Sequence, residues 1–336
     1  MFKPTEEMSK LLRMAGASDP RESERGMKAL AAALIEPLRS VPLAGDILGG
    51  IFVEEPLGPG ATAEYPLDFY QPGREGDYIA YTIPSEGAIP CRSITSDKVT
   101  VPTYSVANAI DWPLKYSRDA RWPVVSKALA LLEAGVAQKL NTDGWRTLIA
   151  AGAGRGVLIY DANAAAGQFT KRLVSLMKTQ MRRLAGGNST SIKRGRLSDL
   201  FLSPEALEDI REWGSDTTED NIDPLTMREI FTADGENEVL SSIYGVKLHT
   251  LDELGEGQEF QNFFDITLGG SMGSGDKEIC VGLDLTNRDS FVMPIREPLS
   301  VFDDPQLHRR QRAGFYAWAE IGFAVLDDRR VLIGSF

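Results

Sequence analysis

Apolar residues recur at helical spacing in three stretches of the chain and fall into short extended runs through much of the rest. Over 119–151, Val124, Ala128, Leu131, Leu132, Val136, Leu140, Leu148 and Ile149 lie three and four apart, which predicts one helix. At 1.5 Å per residue it would span roughly 45 Å, longer than most globular helices. Pro123 fits only its first turn, while Gly135 and Gly144 weaken the helix or let a neighbour approach closely. A second helix is predicted over 168–184, where Phe169, Leu173, Leu176, Met177 and Leu184 share a stripe. A third, over 25–38 with Leu30, Leu34 and Leu38, is too short to stand alone and should dock on its own domain or on a neighbour.

The composition changes sharply between 52 and 115. Pro56, Pro59, Pro66, Pro72, Pro84, Pro90, Pro102 and Pro113 punctuate segments rich in Tyr, Val, Thr and Ile, which reads as extended β structure. Segments 63–70 and 98–108 form two arms, and Gly73, Gly76 and Gly87 belong to the tip between them. So long an excursion with little core of its own must lie on something. Farther along, strands are predicted at 157–160, 197–202, 242–250, 278–285, 290–296, 315–326 and 330–336. The triplet Ser203-Pro204-Glu205 announces a helix to Trp213: serine caps it, proline takes the first position and glutamate meets the dipole. The glycines of 152–156 follow the long helix and precede a strand. That order is the reverse of a dinucleotide fingerprint and predicts a helix stop and hinge.

At 336 residues the chain is long enough for one large or two intermediate domains, and two linked subdomains are the expectation. Apolar residues at 43% and charged residues at 25% place it among globular proteins. A net charge of −12 argues against an independent binder of nucleic acid, so any contact with DNA must be local and weak. The basic stretch Lys171, Arg172, Lys178, Arg182, Arg183, Lys193, Arg194 and Arg196 is either a solvated face or such a local contact. Residues 1–10 are polar and no run of about 18 apolar residues occurs, so the expectation is a protein made and used in water.

Candidate chemistry is sparse. Cys91 and Cys280 are isolated from each other in sequence, which fits a reducing compartment and excludes a CxxC site. His249 and His308 are the only histidines, too few for a multi-histidine metal site or a Ser-His-Asp arrangement with alternatives. Asp216, Glu219, Asp220 and Asp223 form an acidic cluster without the spacing of a calcium loop. The dense charges from Asp303 and Asp304 to Arg309, Arg310 and Arg312 suit intersubunit salt bridges as well as plain solvated surface. No residue is assigned a catalytic, cofactor or metal role.

Four segments carry a resemblance: VTVPTYSVANAIDWPLKYS at 99–117, AQKLNTDGWRTLIAA at 137–151, RLSDLFLSPEALEDIREW at 196–213 and IGFAVLDDRRVLIGSF at 321–336. In texture and in the order of elements around them, the chain resembles the major capsid proteins of tailed bacteriophages with the Hong Kong 97 capsid fold. The resemblance implies an α+β protein with an N-terminal arm at 1–50 and an E-loop with flanking peripheral-domain strands at 51–118. It further implies a spine helix of the peripheral domain at 119–154, a mainly axial domain at 155–290 and return strands of both domains at 291–336.

The function so implied is self-assembly, as pentamers and hexamers, into an icosahedral or prolate head enclosing double-stranded DNA. Partners would be other copies of the chain, with scaffold, portal and cement proteins as further candidates, no membrane, and only weak local contact with DNA. Assembly would occur in the host cytoplasm and the product would reside in the virion capsid. Tyr65, Phe69, Tyr70, Tyr78, Tyr81, Arg309, Arg310 and Arg312 are the candidate intersubunit contacts. Members of the family that crosslink themselves use an E-loop lysine, yet 62–97 contains none, so no catalytic residue carries over. The alternatives are an encapsulin-like compartment on the same fold and an α/β hydrolase-type enzyme.

Overall fold

The computed structural model describes residues 50–58, 60–66, 98–115, 122–154, 156–184, 195–213, 242–267, 277–286 and 288–336, with positions 10, 14, 21–22 and 25–29 before them. In chain order the elements are β1 (Val53–Pro56), β2 (Glu64–Pro66), β3 (Lys98–Thr100), β4 (Tyr104–Pro113), α1 (Trp122–Gly154), β5 (Leu158–Tyr160), α2 (Lys171–Leu184), β6 (Asp199–Leu202) and α3 (Pro204–Glu212). There follow β7 (Ser242–Ile243), β8 (Val246–Thr250), α4 (Glu259–Asn262), β9 (Ile279–Leu283), β10 (Phe291–Asp303), β11 (Arg312–Ile321), β12 (Ala324–Val325) and β13 (Val331–Ser335). No helix among the described residues is long and apolar enough to cross a membrane.

The chain divides into two compact units. One comprises Met1–Glu64, Thr100–Gly144 and Val292–Ala324; the other comprises Tyr65–Val99, Trp145–Phe291 and Val325–Phe336. The first is built on a five-stranded sheet in the order β1-β10-β11-β4, with β12 beside β10 off that path. β4 and β11 pair antiparallel without a break from Tyr104↔Ile321 to Trp112↔Ala313 and Pro113↔Arg312. β10 holds Pro298 inside one long strand because its ladder to β11 is irregular between Ile295 and Ser300, where a missing N–H does least harm. Alternation sets the faces: Ala313, Phe315, Ala317, Ala319 and Ile321 point inward, and Val106, Ala319 and Ile321 pack with Leu140 of α1 and with Ile295, Leu299 and Phe323.

The second unit carries a six-stranded mixed sheet, β5-β13-β9-β6-β8-β7. α2 and α3 cover one face: Phe169, Leu173, Val174, Met177 and Met181 join Ala206, Ile210 and Trp213 over Leu200, Leu202, Val246 and Leu332. Residues of β6 alternate, so Phe201 turns to the other face and meets the Trp145 ring edge-on at 4.8 Å. Trp145 in turn lies 6.2 Å from Phe260 of α4.

Where they fall on described residues the predicted elements compare closely with those observed, and the differences have physical causes; positions 30–38 of the third predicted helix and 67–70 of the first arm lie outside the described residues. The long helix is found at Trp122–Gly154, 33 residues, on the order of 50 Å. Its stripe is not continuous, however: Leu132, Val136, Leu148 and Ile149 are buried, whereas Leu131 is 59% exposed. Gly152 lies inside the helix, where a Cβ would stand 2.8 Å from Ile333 Cγ1, so it serves close packing against β13. The stop falls later, at Gly156 with φ +64°. The predicted strand over 242–250 is a hairpin, β7 and β8 joined through Tyr244 (φ 52°) and Gly245 (φ 73°). Strand 290–296 extends to Asp303, and strand 315–326 begins at Arg312 and breaks before β12. α4 and the π turn that continues it (Phe263–Thr267) had no counterpart in the sequence pattern, since four residues are too few for a period to register.

Candidate functional site

Chemistry-bearing side chains of the second unit are engaged in holding the fold. Ser203 caps α3 as its sequence predicted, accepting from Ala206 N at 3.2 Å while its hydroxyl donates to Glu278 Oε2 at 2.5 Å. Burial is the largest cause that raises the Glu278 carboxyl above its ordinary value, with Glu205 adding like charge. His249 stacks on Phe201 at 4.8 Å and its Nε2 meets Asp199 Oδ1 at 2.8 Å. Burial alone would raise Asp199, but hydrogen bonds from His249 and Ser198 outweigh it and hold this carboxyl below its ordinary value.

Asp284, wholly buried, accepts from Arg196 N at 2.9 Å and pairs with the guanidinium of Arg330. Cys280 is buried beside Met177 Sδ at 3.6 Å, and loss of hydration pushes its thiol up to about 12, so it stays protonated and unreactive. Among the described residues no group of three or more His, Cys, Asp or Glu could hold a metal ion.

The open surface of the first unit has a different character. On the solvent side of its sheet Phe302 and Tyr316, paired across β10 and β11, stack at 5.3 Å and are 41% and 39% exposed. Trp318 follows two residues along β11, and Ala107 and Ala109 face it and Tyr316 from β4. Such an aromatic pair on an open sheet face is well suited to contact and poorly suited to water. At its border Glu320 accepts from Thr103 Oγ1 at 2.7 Å and from Arg296 Nη1 at 2.9 Å, and these two donors hold its carboxyl below its ordinary value. Tyr104, 37% exposed, donates to Asp143 Oδ2 at 2.8 Å; burial and this acidic partner raise its phenol.

The contact candidates named from sequence separate into three groups. Tyr65 sits on β2 and is only 8% exposed within its own chain. Arg309 and Arg310 are exposed on the 3-10 turn Pro305–Arg310, and Arg312 opens β11 and pairs with Asp111 of β4. Phe69, Tyr70, Tyr78 and Tyr81 lie outside the described residues, as do the acidic cluster at 216–223, Cys91 and the tip glycines. Of His308 the backbone alone is described. The sheet-face aromatics Phe302, Tyr316 and Trp318 were not among the candidates. The alternation Tyr316-Ala317-Trp318-Ala319-Glu320, large and polar out, small in, would have revealed Tyr316 and Trp318.

No protein-family model matches the sequence, and no curated protein sequence does either. Solved structures match over nearly the whole chain. The structure described as Microbacterium phage Oxtober96 has a TM-score of 0.57 at 10% identity, covering 86% of this chain and 90% of that one. The capsid of Myoviridae phage XM1 has 0.52 at 13% identity, covering 86% and 90%. The capsid of a native GTA particle has 0.53 at 15% identity, covering 86% and 89%. The chain has the fold of a phage major capsid protein.

Proposed function

We propose that the chain is the major capsid protein of a tailed phage, assembling with copies of itself as pentamers and hexamers into a closed shell around double-stranded DNA. The observation that carries this reading is the match in fold to phage and GTA capsids over 86% of this chain and about nine-tenths of theirs. In that reading the first unit, with most of the long helix and the five-stranded sheet, corresponds to the peripheral domain of the Hong Kong 97 fold, and the second to the axial domain. Residues 1–50 act as the N-terminal arm and 51–118 include the E-loop.

The excursion within 63–108 then lies over an adjacent subunit, with Tyr65, Phe69, Tyr70, Tyr78 and Tyr81 as contacts, and Arg309, Arg310 and Arg312 add a charged border. The exposed Phe302–Tyr316 face supports this, because covering aromatic surface is what association supplies and an isolated subunit leaves undone. The product belongs to the virion capsid and is assembled in the host cytoplasm, with scaffold, portal and cement proteins as further partners and DNA touched only locally. No specific feature favours an encapsulin-like compartment or a hydrolase. Electron microscopy of the chain expressed with its neighbouring gene products tests the reading: closed shells with rings of five and six support it, and monomers or dimers under every condition overturn it.

A further inference from the structure

Beside β6 and β8 the second unit has Lys178, Arg182 and Arg183 at one end of its sheet and Glu205, Glu208, Asp252 and Glu256 at the other, where Lys277 before β9 is the exposed base. β8 begins at Val246, directly after the Tyr244-Gly245 turn, and Lys178 Nζ of α2 donates to Tyr244 O at 2.6 Å, which fixes the C-terminal half of α2 at that end. Arg182 and Arg183 follow one turn later; both are exposed and neither pairs with an acid among the described residues. α2 contains no acidic residue at all.

At the other end β6 and β8, which run parallel, finish together, and Leu251 N donates to Leu202 O at 2.9 Å. There the chain turns through Asp252 and Glu256, and a Cβ on Gly255 would stand 3.0 Å from Glu205 Oε2 in the first turn of α3. Glu205, Glu208, Asp252 and Glu256 are all exposed. The five residues of β8 hold the basic and acidic ends about 16 Å apart.

We infer that Lys178, Arg182 and Arg183 of one copy dock on the acidic end of the second unit of the next copy, around Glu205, Glu208, Asp252 and Glu256. This rests on the shell reading and deepens it. A patch that pairs with itself across a two-fold axis must be self-complementary, and neither of these is: like ends repel. Two unlike patches on one subunit make a head-to-tail contact, and a head-to-tail contact repeated by rotation closes a ring. Opposite charge steers the encounter and sets the register, while like charge rejects the wrong pairing. Duplex DNA is the competing occupant of the basic end, but a chain of net charge −12 repels phosphate as a whole.

The test uses the full chain under conditions where wild type assembles, with rings and shells counted by electron microscopy and sedimentation. R182E/R183E should reduce the assembled fraction by about tenfold or more, and E208K/E256K should do the same. The chain carrying all four changes presents the same ends reversed and should assemble again, and the conservative R182K/R183K should assemble throughout. Each variant is first matched to wild type in thermal unfolding, and Lys178 is left intact because it holds the β7–β8 turn.

Assembly of R182E/R183E at the wild-type level, with wild-type shells present, overturns the pairing and leaves the shell reading standing. So does loss of binding to a short DNA duplex without loss of assembly, which would give the face to nucleic acid. A four-fold variant that remains unassembled also overturns it. Wild type that forms neither ring nor shell overturns the shell reading and the pairing together.

Discussion

The side-chain amide of Asn108 in β4 lies so close over Gly135 of α1 that a Cβ there would stand 2.6 Å from its Nδ2. The same amide donates to Leu132 O at 3.2 Å, one turn earlier in the helix. A glycine that lowers helix propensity is therefore kept where the first unit's sheet and helix meet closely. Gly135→Val should destabilise the protein by about 1–3 kcal/mol, since the side chain has no space. Combining it with Asn108→Ala should recover most of that loss in urea unfolding. Strict additivity of the two changes would refute the contact.

Breaking the Asp284–Arg330 pair should be far more damaging than replacing it. Both side chains are buried and Asp284 also accepts from two backbone amides, those of Arg196 and Thr286. Arg330→Met leaves a buried carboxylate without its counter-charge and is expected to cost about 3–5 kcal/mol. The double variant Asp284→Asn with Arg330→Met should cost less than Arg330→Met alone. A larger loss in the double than in the single, read from melting curves, contradicts this.

Trp145 is fully buried, meets Phe201 and Phe260, and its indole N–H has no acceptor among the described residues. Trp145→Ala should cost about 3–5 kcal/mol through the cavity it opens. Trp145→Phe should be milder, because it retains ring packing and removes an unmatched donor. Equal losses for the two would show that the site is not packed as described.

Stability should depend on pH through Glu278. Its folded-state carboxyl is raised above the ordinary 4.5, chiefly by burial, so the folded chain holds this proton more tightly than the unfolded one. The contribution is therefore greatest below pH 4.5 and is lost as pH rises through the folded value. Glu278→Gln should match wild type in mild acid and exceed it at neutral pH while still accepting from Ser203. Thermal unfolding across pH decides, and a variant equally or more destabilised at neutral pH would reverse the sign.

If the chain builds a shell, the shell should be held without covalent links. Segment 62–97 contains no lysine to form an isopeptide bond there, and Cys280 is buried with a thiol pushed up to about 12. Particles boiled in detergent without reductant should run as a single monomer band. A ladder of multimers would reverse this expectation.

Much of the architecture was legible in the sequence because the signals are local. The stripe of α1, the Ser203-Pro204-Glu205 cap of α3 and the alternation of β11 each follow from the chemistry of a few neighbouring residues. The scarcity of histidine and cysteine is likewise a property of the sequence alone. The tertiary structure decided what depends on residues far apart in the chain. It buried Leu132 while leaving Leu131 exposed, placed Gly152 against Ile333, paired Asp284 with Arg330, and stacked Phe302 on Tyr316. It also separated a basic end from an acidic one along β8. A period in sequence states which side of an element is apolar, whereas strand order and register, set by cooperative packing of the whole unit, decide which side chains that face meets.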